Sequence, residues 1–376
     1  MTAVNVLHSV PSLNVTDGGP ARSVPALAAA EAANGADVVV WSQQKATIDL
    51  TPFKNVRFVT GDIEKLPRNP DVIHDHGLWL SSNHNSARFG RHRRIPRVVS
   101  PRGMLEPWCL KHRRLRKQVA WTLYQYRDLL SATSLHATSE SEARQFRRIG
   151  LRQPIIQLPN GVGLPEDDES TIQKHSAKKE ALFLSRLHPV KGLENLLTAW
   201  RQVSPSDWML KIVGSDEDNY RSKLQELIQS LGLGQSVQLC EGVHTNQKWS
   251  LLRNAEFLVL PSFSENFGIV AAEALGVGTP VLTTTGTPWS EIPKRKCGWY
   301  VEPTVEGIVS GLREAMASTS AELMAMGNRG RVWMQSSFSW EDIGRRMLNS
   351  YDWLLSGKNS GENEHPAQIE TVRRAA

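Results

Sequence analysis

Two glutamates in the C-terminal half of the chain are the strongest candidates for chemistry. Glu265 and Glu273 stand with seven residues between them, in a segment that predicts a buried strand over 256–260 and a helix over 268–275. Glu265 would then lie in the loop before the helix, beside free N–H groups, and Glu273 about two turns further on. A helix N-terminus suits a phosphate or sugar oxygen. Two carboxylates placed in this way can bind hydroxyls at two points of a long polar ligand.

Two cations about eighty residues earlier form a second candidate cluster. The segment 183–197 predicts the end of a strand, a loop that presents Arg186 and Lys191, and then an amphipathic helix. Two cations beside a helix start can bind a diphosphate. An isolated Arg and Lys on a loop are more often solvated surface charges. Taken together with the two glutamates, they favour a binding site.

The elements that must position these residues alternate between strands and helices. The sequence predicts strands at 4–7, 37–41, 56–59, 72–73, 97–99, 134–137, 182–184, 209–213, 237–239, 257–260 and 280–282. It predicts helices at 21–34, 113–130, 192–203, 219–231, 247–254, 269–275 and 340–355. This alternation is typical of α/β proteins in which helices cover both faces of a parallel sheet.

The length of the chain predicts two domains, because 376 residues exceed one typical core. We expect an N-terminal domain over 1–165, joined by the final helix 340–355, and a C-terminal domain over 166–339. Two doubly wound domains that face each other would place the site in the cleft between them. The polar tail 356–376 has no apolar period, and the composition therefore predicts disorder there.

The two candidate clusters resemble the donor-site motifs of retaining glycosyltransferases with the GT-B fold, in family 4 (glycosyl transferases group 1). Glu265 and Glu273 match the E-x7-E motif of that family, and residues 185–192 match S-R-L-x-x-x-K-G. Weaker matches lie at 18–20 (the glycine loop), 158–162 (the start of the second domain) and 338–341 (the start of the last helix). The resemblance spans about 4–355 and is most specific over 180–300.

The resemblance implies a role for each matched residue. Arg186 and Lys191 would hold the donor diphosphate and stabilise its charge as it leaves, and Glu265 would hold the transferred sugar. Glu273 would bind the ribose hydroxyls. The remaining donor-binding positions that it implies are Gly19, Asn266, Phe267, Gly268 and Ile269. No metal or other cofactor is expected, because cations and N–H dipoles can act where the charge develops.

The N-terminal half departs from the family pattern on its acceptor side. His74 and His76 share one strand face, but no third ligand is identifiable nearby, so we do not predict a metal site. A cleft-lining or packed role fits His76 better. The family often has a histidine near the transferred sugar on the next strand, where this chain reads Ser100-Pro-Arg102. Ser100 or Arg102 would take its place, with Arg102 contacting an acceptor or donor oxygen, or serving as an ion-paired loop residue.

Composition and charge limit the partners. The chain is 40% hydrophobic and carries a net charge of +6, with the basic residues concentrated in the N-terminal half. No apolar run is long enough to span a membrane, and no signal peptide is recognisable. Three scattered cysteines suit a reducing cytosol. The basic helix at 110–127 carries Trp and Leu, which favours contact with an anionic membrane over nucleic acid or plain solvation. We therefore expect a cytoplasmic protein, peripheral at the inner face of the membrane.

These observations predict a metal-independent enzyme that transfers a sugar, with retention, from a nucleotide diphosphate sugar to a hydroxyl of a glycan or lipid-linked saccharide. The resemblance suggests a role in bacterial surface polysaccharide synthesis. A Rossmann oxidoreductase is disfavoured, since no Gly-x-Gly-x-x-Gly follows the first strand. An inactive GT-B scaffold and a basic nucleic-acid-binding protein are the alternatives, although the second leaves both candidate clusters unexplained.

Overall fold

The chain folds into two compact α/β units. The computed structural model describes residues 3–14, 19–111, 114–165, 178–204, 206–243, 245–357 and 366–371. Unit 1 comprises Met1–Gly161 and Phe338–Ala376, and unit 2 comprises Val162–Ser337. These boundaries precede the expected ones by a few residues. Gly161 packs so closely on Trp340 that an added Cβ would lie 2.5 Å from its ring, whereas Leu164 packs on Gly276 of unit 2.

Unit 1 is built on an eight-stranded sheet in the order β14-β7-β6-β5-β4-β1-β2-β3. Every pairing is parallel except that of β14 with β7. The order reverses between β1 and β4, which creates a topological switch point there. The strands are β1 (Asn5–Val10), β2 (Asp37–Ser42), β3 (Val56–Thr60), β4 (Val72–His76), β5 (Arg97–Ser100), β6 (Ser134–Ala137), β7 (Ile155–Gln157) and β14 (Ile369–Glu370).

The helices of unit 1 cover both faces of this sheet. They are α1 (Pro20–Ala33), α2 (Ser81–Arg93), α3 (Pro107–Lys111), α4 (Arg114–Ala120), α5 (Tyr126–Leu130), α6 (Glu140–Arg148) and α13 (Trp340–Leu355), with a π-helical turn at Trp121–Gln125 between α4 and α5. Pro20 occupies the first turn of α1, where its missing N–H is not needed. α13 packs against α1 at Gly344, where a Cβ would lie 2.7 Å from the Ala30 backbone.

Unit 2 repeats the doubly wound design with six parallel strands in the order β10-β9-β8-β11-β12-β13. The strands are β8 (Lys179–Leu184), β9 (Trp208–Val213), β10 (Val237–Cys240), β11 (Phe257–Leu260), β12 (Val281–Thr284) and β13 (Gly298–Val301). The helices are α7 (Leu193–Val203), α8 (Tyr220–Ser230), α9 (Thr245–Asn254), α10 (Ile269–Gly276), α11 (Val305–Ala317) and α12 (Ser320–Ser337). The switch point of this sheet lies between β8 and β11.

The predicted strands and helices are confirmed within a few residues, and the last helix matches at both ends. The prediction of disorder over 356–376 is wrong in part. Ile369 and Glu370 form β14 and extend the sheet beside β7, because Ile369 is only 2% exposed in the core of unit 1. Residues 358–365 and 372–376 of that tail, residues 166–177 at the expected domain boundary, and Gly18 lie outside the described residues.

Candidate functional site

The two predicted clusters follow the two central strands of unit 2. Arg186 and Lys191 come after β8, and Glu265 comes after β11. These two strands are neighbours at the switch point of the sheet. Ligands of open α/β sheets bind in the crevice outside the carboxyl ends of such strands. The topology therefore brings Lys191 and Glu265, about seventy-five positions apart in the chain, to the same carboxyl-terminal edge of the sheet.

Lys191 and Glu265 contact each other directly at this edge. The Lys191 Nζ lies 2.5 Å from Glu265 Oε1, and the Ser262 hydroxyl donates to the same oxygen at 2.7 Å. The two charged side chains are about one-tenth exposed. The Phe263 N–H donates to the Val190 carbonyl at 2.8 Å and joins the two loops. Ser262 is a site residue that the motifs did not identify.

Gly192 permits this close approach. Its φ is +70°, and a Cβ at this position would lie 2.1 Å from the Pro261 carbonyl oxygen. Any side chain would force the Lys191 loop away from the loop that carries Glu265. The glycine that ends the S-R-L-x-x-x-K-G pattern therefore has a steric reason to be glycine.

The start of α10 presents backbone groups beside Glu265. Gly268 is the N-cap with φ +70°, Ile269 is the first helical residue, and no side chain caps the helix. Phe267 is held in place by Trp289, whose Nε1 donates to the Phe267 carbonyl at 2.7 Å. Asn266 has a buried Oδ1 without a hydrogen-bond partner among the described residues. This helix start can bind an anion through its N–H groups.

Glu273 lies further along α10 and is paired with a lysine that sequence reasoning missed. Lys248 Nζ on α9 lies 2.7 Å from Glu273 Oε1, and both side chains are about one-eighth exposed. Lys248 also lies 4.2 Å from the centre of the Trp249 ring. A charge on an amphipathic helix usually indicates a solvated face, so no sequence signal distinguished Lys248. The pair leaves Oε2 of Glu273 for other partners.

Arg186 does not join the cluster of Lys191 and Glu265. Its Nη1 lies 2.6 Å from Glu217 Oε2, and both side chains are more than one-third exposed. This is a surface ion pair, which a ligand can displace at little cost. Glu217 lies in the loop after β9 and was not predicted.

In unit 1, a chain of hydrogen bonds joins Arg102 to Glu31 through two histidines. Arg102 Nη2 lies 3.1 Å from His76 Nδ1, and His76 Nε2 lies 2.9 Å from His8 Nδ1. His8 Nε2 lies 2.7 Å from Glu31 Oε2. A guanidinium can only donate. The direction of every bond is therefore fixed, and both imidazoles carry their hydrogen on Nε2.

A second chain reaches Glu31 from the opposite side. The Leu158 carbonyl is 2.8 Å from His136 Nε2, His136 Nδ1 is 3.2 Å from His74 Nε2, and His74 Nδ1 is 2.6 Å from the Tyr351 hydroxyl. That hydroxyl is also 3.0 Å from Glu31 Oε1. The Leu158 carbonyl can only accept, so His136 Nδ1 accepts from His74 Nε2 and His74 Nδ1 accepts from the Tyr351 hydroxyl. The one hydrogen of that hydroxyl therefore faces two acceptors, His74 Nδ1 and Glu31 Oε1.

The histidines also bear on the question of a metal. One ring nitrogen from each of His8, His74 and His76 lies within 4.8 Å of the others. The expectation that no third ligand lies near His74 and His76 is therefore wrong, since His8 faces them from β1. The donor set fits a metal poorly, however. His76 accepts from Arg102, which leaves a hydrogen on the nitrogen that faces His8. All eight ring nitrogens of these three residues and His136 have protein partners.

The remaining predicted residues of unit 1 have different surroundings. Ser100 ends β5, is fully buried, and its hydroxyl has no partner among the described residues. Arg102 is 8% exposed and donates from Nη1 to Asn160 at 2.7 Å. Gly19 is the N-cap of α1 with φ −54°, and a Cβ there would meet nothing within 4 Å. Its conformation alone does not require glycine.

The basic helix predicted at 110–127 has an exposed apolar face. Residues at intervals of three or four along α4, the π-helical turn and α5 are exposed: Leu115 (79%), Val119 (57%), Leu123 (74%), Tyr126 (37%) and Leu130 (50%). This spacing places them on one side of the helix. His112 and Arg113 lie outside the described residues. In the described part of the chain, no helix has the length and apolar character needed to cross a membrane.

Comparison with known proteins shows which family this architecture represents. The sequence model of "Glycosyl transferases group 1" matches residues 166–333, and that of "Glycosyl transferase 4-like domain" matches 18–161. The fold is similar to that of sucrose-phosphate synthase from Thermosynechococcus elongatus. That comparison has a TM-score of 0.73 at 19% identity and covers 94% of this chain and 100% of the other.

Curated relatives match over part of their length. A GDP-mannose-dependent monoacylated alpha-(1-6)-phosphatidylinositol monomannoside mannosyltransferase of Corynebacterium glutamicum is 28% identical over 56% of this chain and 60% of its own. A GDP-mannose:cellobiosyl-diphosphopolyprenol alpha-mannosyltransferase of Xanthomonas campestris is 27% identical over 57% and 56%. The chain spans about half the length of the first relatives it matches. The two family models and the shared fold show that the chain belongs to the GT-B glycosyltransferases of the group 1, family 4-like type.

Proposed function

We propose that this protein transfers a sugar from a nucleotide diphosphate sugar to a hydroxyl of a glycan or lipid-linked saccharide, with retention at the anomeric carbon. The observation that carries the proposal is the contact of Lys191 with Glu265 and Ser262 at the switch point of unit 2. It combines a cation for a leaving diphosphate with a carboxylate for sugar hydroxyls, next to an uncapped helix start.

The proposed reaction breaks the bond between the anomeric carbon and the diphosphate and forms a bond to the acceptor oxygen. Lys191 and the N–H groups of Gly268 and Ile269 stabilise the charge that develops on the diphosphate. Arg186 joins them after it leaves Glu217, and Glu273 binds the ribose hydroxyls. The departing phosphate takes the acceptor proton on the same face, so no protein nucleophile is required.

The acceptor class rests on the relatives. Both mannosyltransferases described above are named for acceptors that carry a lipid and phosphate. We therefore propose a lipid-linked acceptor and a role in bacterial surface polysaccharide assembly. The exposed apolar face from Leu115 to Leu130 supports contact with a membrane surface, because Arg116, Lys117 and Arg127 on the same segment suit anionic lipid.

A thermal-shift screen followed by a transfer assay tests the donor. UDP-, GDP- and ADP-sugars, including GDP-mannose, are added to the full chain, and stabilisation reports binding by mass action. We expect one nucleotide to raise the melting temperature in the wild-type protein but not in Lys191→Ala. The anomeric configuration of the product, measured by NMR, should match that of the donor. If no nucleotide raised the melting temperature, the proposal would be contradicted. An inverted anomeric configuration in the product would contradict the retaining mechanism.

Chelation tests metal independence. Asp216 and Asp218 stand at Asp-x-Asp spacing, and Asp216 Oδ1 accepts from the Arg221 N–H at 2.9 Å. We propose that transfer continues in EDTA, since Lys191 and the helix start supply the positive charge. Loss of activity that added Mg²⁺ or Mn²⁺ restores would show that a metal is needed.

Co-sedimentation with phosphatidylglycerol vesicles tests the membrane contact. Wild-type protein should bind, and Leu115→Ser with Leu123→Ser should not. A matched control replaces Met324 and Val332 of α12 by Ser, since both are about two-thirds exposed in unit 2. Equal binding by wild type and both double variants, or no binding at all, would contradict the contact.

A further inference from the structure

Two buried arginines of unit 1 differ in how their charge is balanced. Arg97, at the start of β5, is 4% exposed, and its Nη1 lies 3.0 Å from Asp75 Oδ2. Its Nη2 donates to the Asp128 carbonyl and to the Ser131 hydroxyl. Arg102, just after the same strand, is almost as buried but donates to neutral groups, the Asn160 amide and the His76 ring. No carboxylate of the described residues lies within ion-pair distance of Arg102.

A buried cation without a direct counter-ion is unfavourable. Burial lowers the pKa of Arg102 to about 10. The carboxyl group with the strongest electrostatic effect on Arg102 is Glu142, but its oxygens accept from the Gly103 and Thr138 N–H groups at 2.7 and 2.9 Å. Burial raises the pKa of Glu142 to about 7, so its compensating charge is incomplete at neutral pH. The carboxylate of Glu31 is reached only through two imidazoles.

The loop that carries Arg102 is held rigidly in an unusual conformation. Arg102 has φ +55° and Gly103 has φ +77°. Such a conformation is unfavourable for a non-glycine residue and persists where the surroundings fix it, which is common at ligand sites. Here Glu142 holds the Gly103 N–H, and Gln145 Nε2 donates to the Leu105 carbonyl at 3.0 Å. The fold therefore maintains this loop in spite of the strain.

Two buried polar groups at this end of β5 remain without a partner among the described residues. The Nε–H of Arg102 and the hydroxyl of Ser100 are buried and have no hydrogen-bond partner among the described residues. Both lie at the carboxyl end of β5, one strand away from the switch point of unit 1. Buried polar groups are nearly always paired. A cation with an unpaired N–H of its own, and an unpaired hydroxyl two positions earlier in the chain, matches an oxyanion.

We propose that Arg102, with Ser100, binds a phosphate or carboxylate group of the acceptor, and that Glu31, His8 and His76 are positioning residues that fix the guanidinium. The assignment to the acceptor rests on the proposed transferase function, whereas the oxyanion site itself does not. The donor diphosphate is the other source of the same chemistry. The experiments below separate the two.

The first experiment measures anion binding without turnover. Full-length protein with ¹⁵N-labelled histidine is titrated with inorganic phosphate in the Lys191→Ala background, which weakens the expected diphosphate site of unit 2. Because Arg102 donates to His76 Nδ1, the ring ¹⁵N resonances of His76 should move as phosphate binds. Arg102→Met should weaken phosphate binding by about 10- to 100-fold, as expected for the loss of charged hydrogen bonds. An unchanged His76 resonance at saturating phosphate would overturn the site.

Two further variants keep the test valid if Arg102→Met does not fold. Ser100→Ala retains the cation and should weaken phosphate binding about fivefold, in line with one neutral hydrogen bond. Ser131→Ala removes a partner of Arg97 and does not touch Arg102, so phosphate binding should be unchanged. Equal affinity in wild type and Ser100→Ala would remove Ser100 from the site.

The second experiment identifies the source of the anion. With a phosphorylated acceptor, Ser100→Ala should raise the KM for acceptor about fivefold and leave the KM for donor unchanged. A rise in the donor KM alone would assign the site to the donor diphosphate and overturn the acceptor assignment. Phosphate binding with no transfer from any nucleotide sugar would contradict the proposed function and leave the oxyanion site intact.

Discussion

The switch-point edges of the two units join cations to carboxylates in different ways. In unit 2, Lys191 meets Glu265 and Lys248 meets Glu273 in direct ion pairs at 2.5 and 2.7 Å, each about one-tenth exposed. In unit 1, Arg102 is joined to Glu31 through two imidazoles, and His8, His76 and Glu31 have no exposed surface. The same sheet topology therefore supports direct ion pairs in unit 2 and a cation joined to its carboxylate through imidazoles in unit 1.

The difference concerns how easily a ligand can replace a protein partner. Each pair of unit 2 joins two side chains directly, so an incoming diphosphate or hydroxyl can replace one partner without breaking a further chain of bonds. A buried chain with every donor assigned cannot change one bond without breaking the next. We infer that unit 2 offers groups that exchange during turnover, whereas unit 1 holds its cation in one orientation.

Replacing Lys191 is the strongest test of the first half of this comparison. Lys191→Ala removes the cation beside the leaving diphosphate, and we expect kcat to fall by about 10²- to 10³-fold, as for loss of one preorganised group. The measurement is steady-state transfer at saturating donor. Lys294→Ala, which removes an exposed pair with Glu291 in the same unit, should leave kcat unchanged. A fall of less than about threefold in Lys191→Ala would mean that the pair is structural.

Removing one hydroxyl tests the rigidity of unit 1. Tyr351→Phe leaves His74 and Glu31 facing a ring without a hydrogen to share, and we expect the free energy of unfolding to fall by about 1–3 kcal/mol. Urea denaturation with a probe of unit 1 measures the change. Tyr220→Phe is the matched control in unit 2, because its hydroxyl lies 2.8 Å from the partly exposed Glu194. A larger loss in the control would reverse the proposed contrast.

The two edges also differ in how far the sequence could predict them. The predicted residues of unit 2 lie in two short strand-loop-helix segments, and the structure places two of them, Lys191 and Glu265, in contact. The network of unit 1 joins residues that are far apart in the chain, as with Tyr351 and Glu31 at a separation of 320. A single tyrosine on a helix or histidine on a strand is indistinguishable from a core residue. Only the parallel register that sets His8 beside His74 brings them together.

Lys248 and β14 were missed for related reasons. Lys248 lies on a polar helix face, and its partner Glu273 is assigned by packing of α9 against α10, which no local pattern encodes. Ile369 is one of a few scattered apolar residues in a polar tail, and they form no periodic pattern. Its burial depends on the free edge of β7, which is a property of the assembled sheet.

The stability of the protein should respond to pH through unit 1. Burial lowers the pKa of His74 and His76 well below 6.5 and that of His136 to about 3. The unfolded chain therefore binds more protons below pH 6.5, and the free energy of unfolding falls as the pH falls. Burial also raises the pKa of Asp75 from 3.8 to about 6 and of Glu142 from 4.5 to about 7. These carboxyls bind protons in the folded state and contribute stability that is lost as the pH rises.

Three imidazoles outweigh two carboxyls, so we expect a net loss of about 1–2 kcal/mol per pH unit near pH 5–6 and a plateau above about pH 7.5. Urea titrations across this range measure it. His136→Gln keeps a donor for the Leu158 carbonyl but does not titrate, and it should lower the proton uptake on unfolding by about one. Stability that rises on acidification from pH 6 to 5 would contradict the neutral state of the buried histidines.

Of these variants, Lys248→Met should have the smallest effect on turnover, and it gives the most specific test of whether the ion pairs of unit 2 exchange with a ligand. The change removes the charge beside Glu273 and preserves most of the side-chain volume. If the pair orients the carboxylate for ribose hydroxyls, the KM for donor should rise about tenfold while kcat changes by less than about twofold. The free energy of unfolding should fall by about 1–3 kcal/mol, because Glu273 loses its cation while it is only about one-eighth exposed.

The control is Lys211→Met. Lys211 lies 3.4 Å from Glu180, the two side chains are 24% and 16% exposed, and the pair joins β9 to β8 in the same unit. It should lower the free energy of unfolding by no more than Lys248→Met does and leave the KM for donor unchanged. If both variants raise the KM equally, the effect is transmitted through the fold of unit 2 and Lys248 has no positioning role. If only Lys248→Met raises the KM for donor, and Lys248→Arg keeps the wild-type KM, then the Lys248–Glu273 pair contributes to ligand binding, as we propose for Lys191 and Glu265. Both lysine–glutamate pairs of unit 2 would then exchange partners with the ligand, in contrast to the fixed hydrogen-bond network of unit 1.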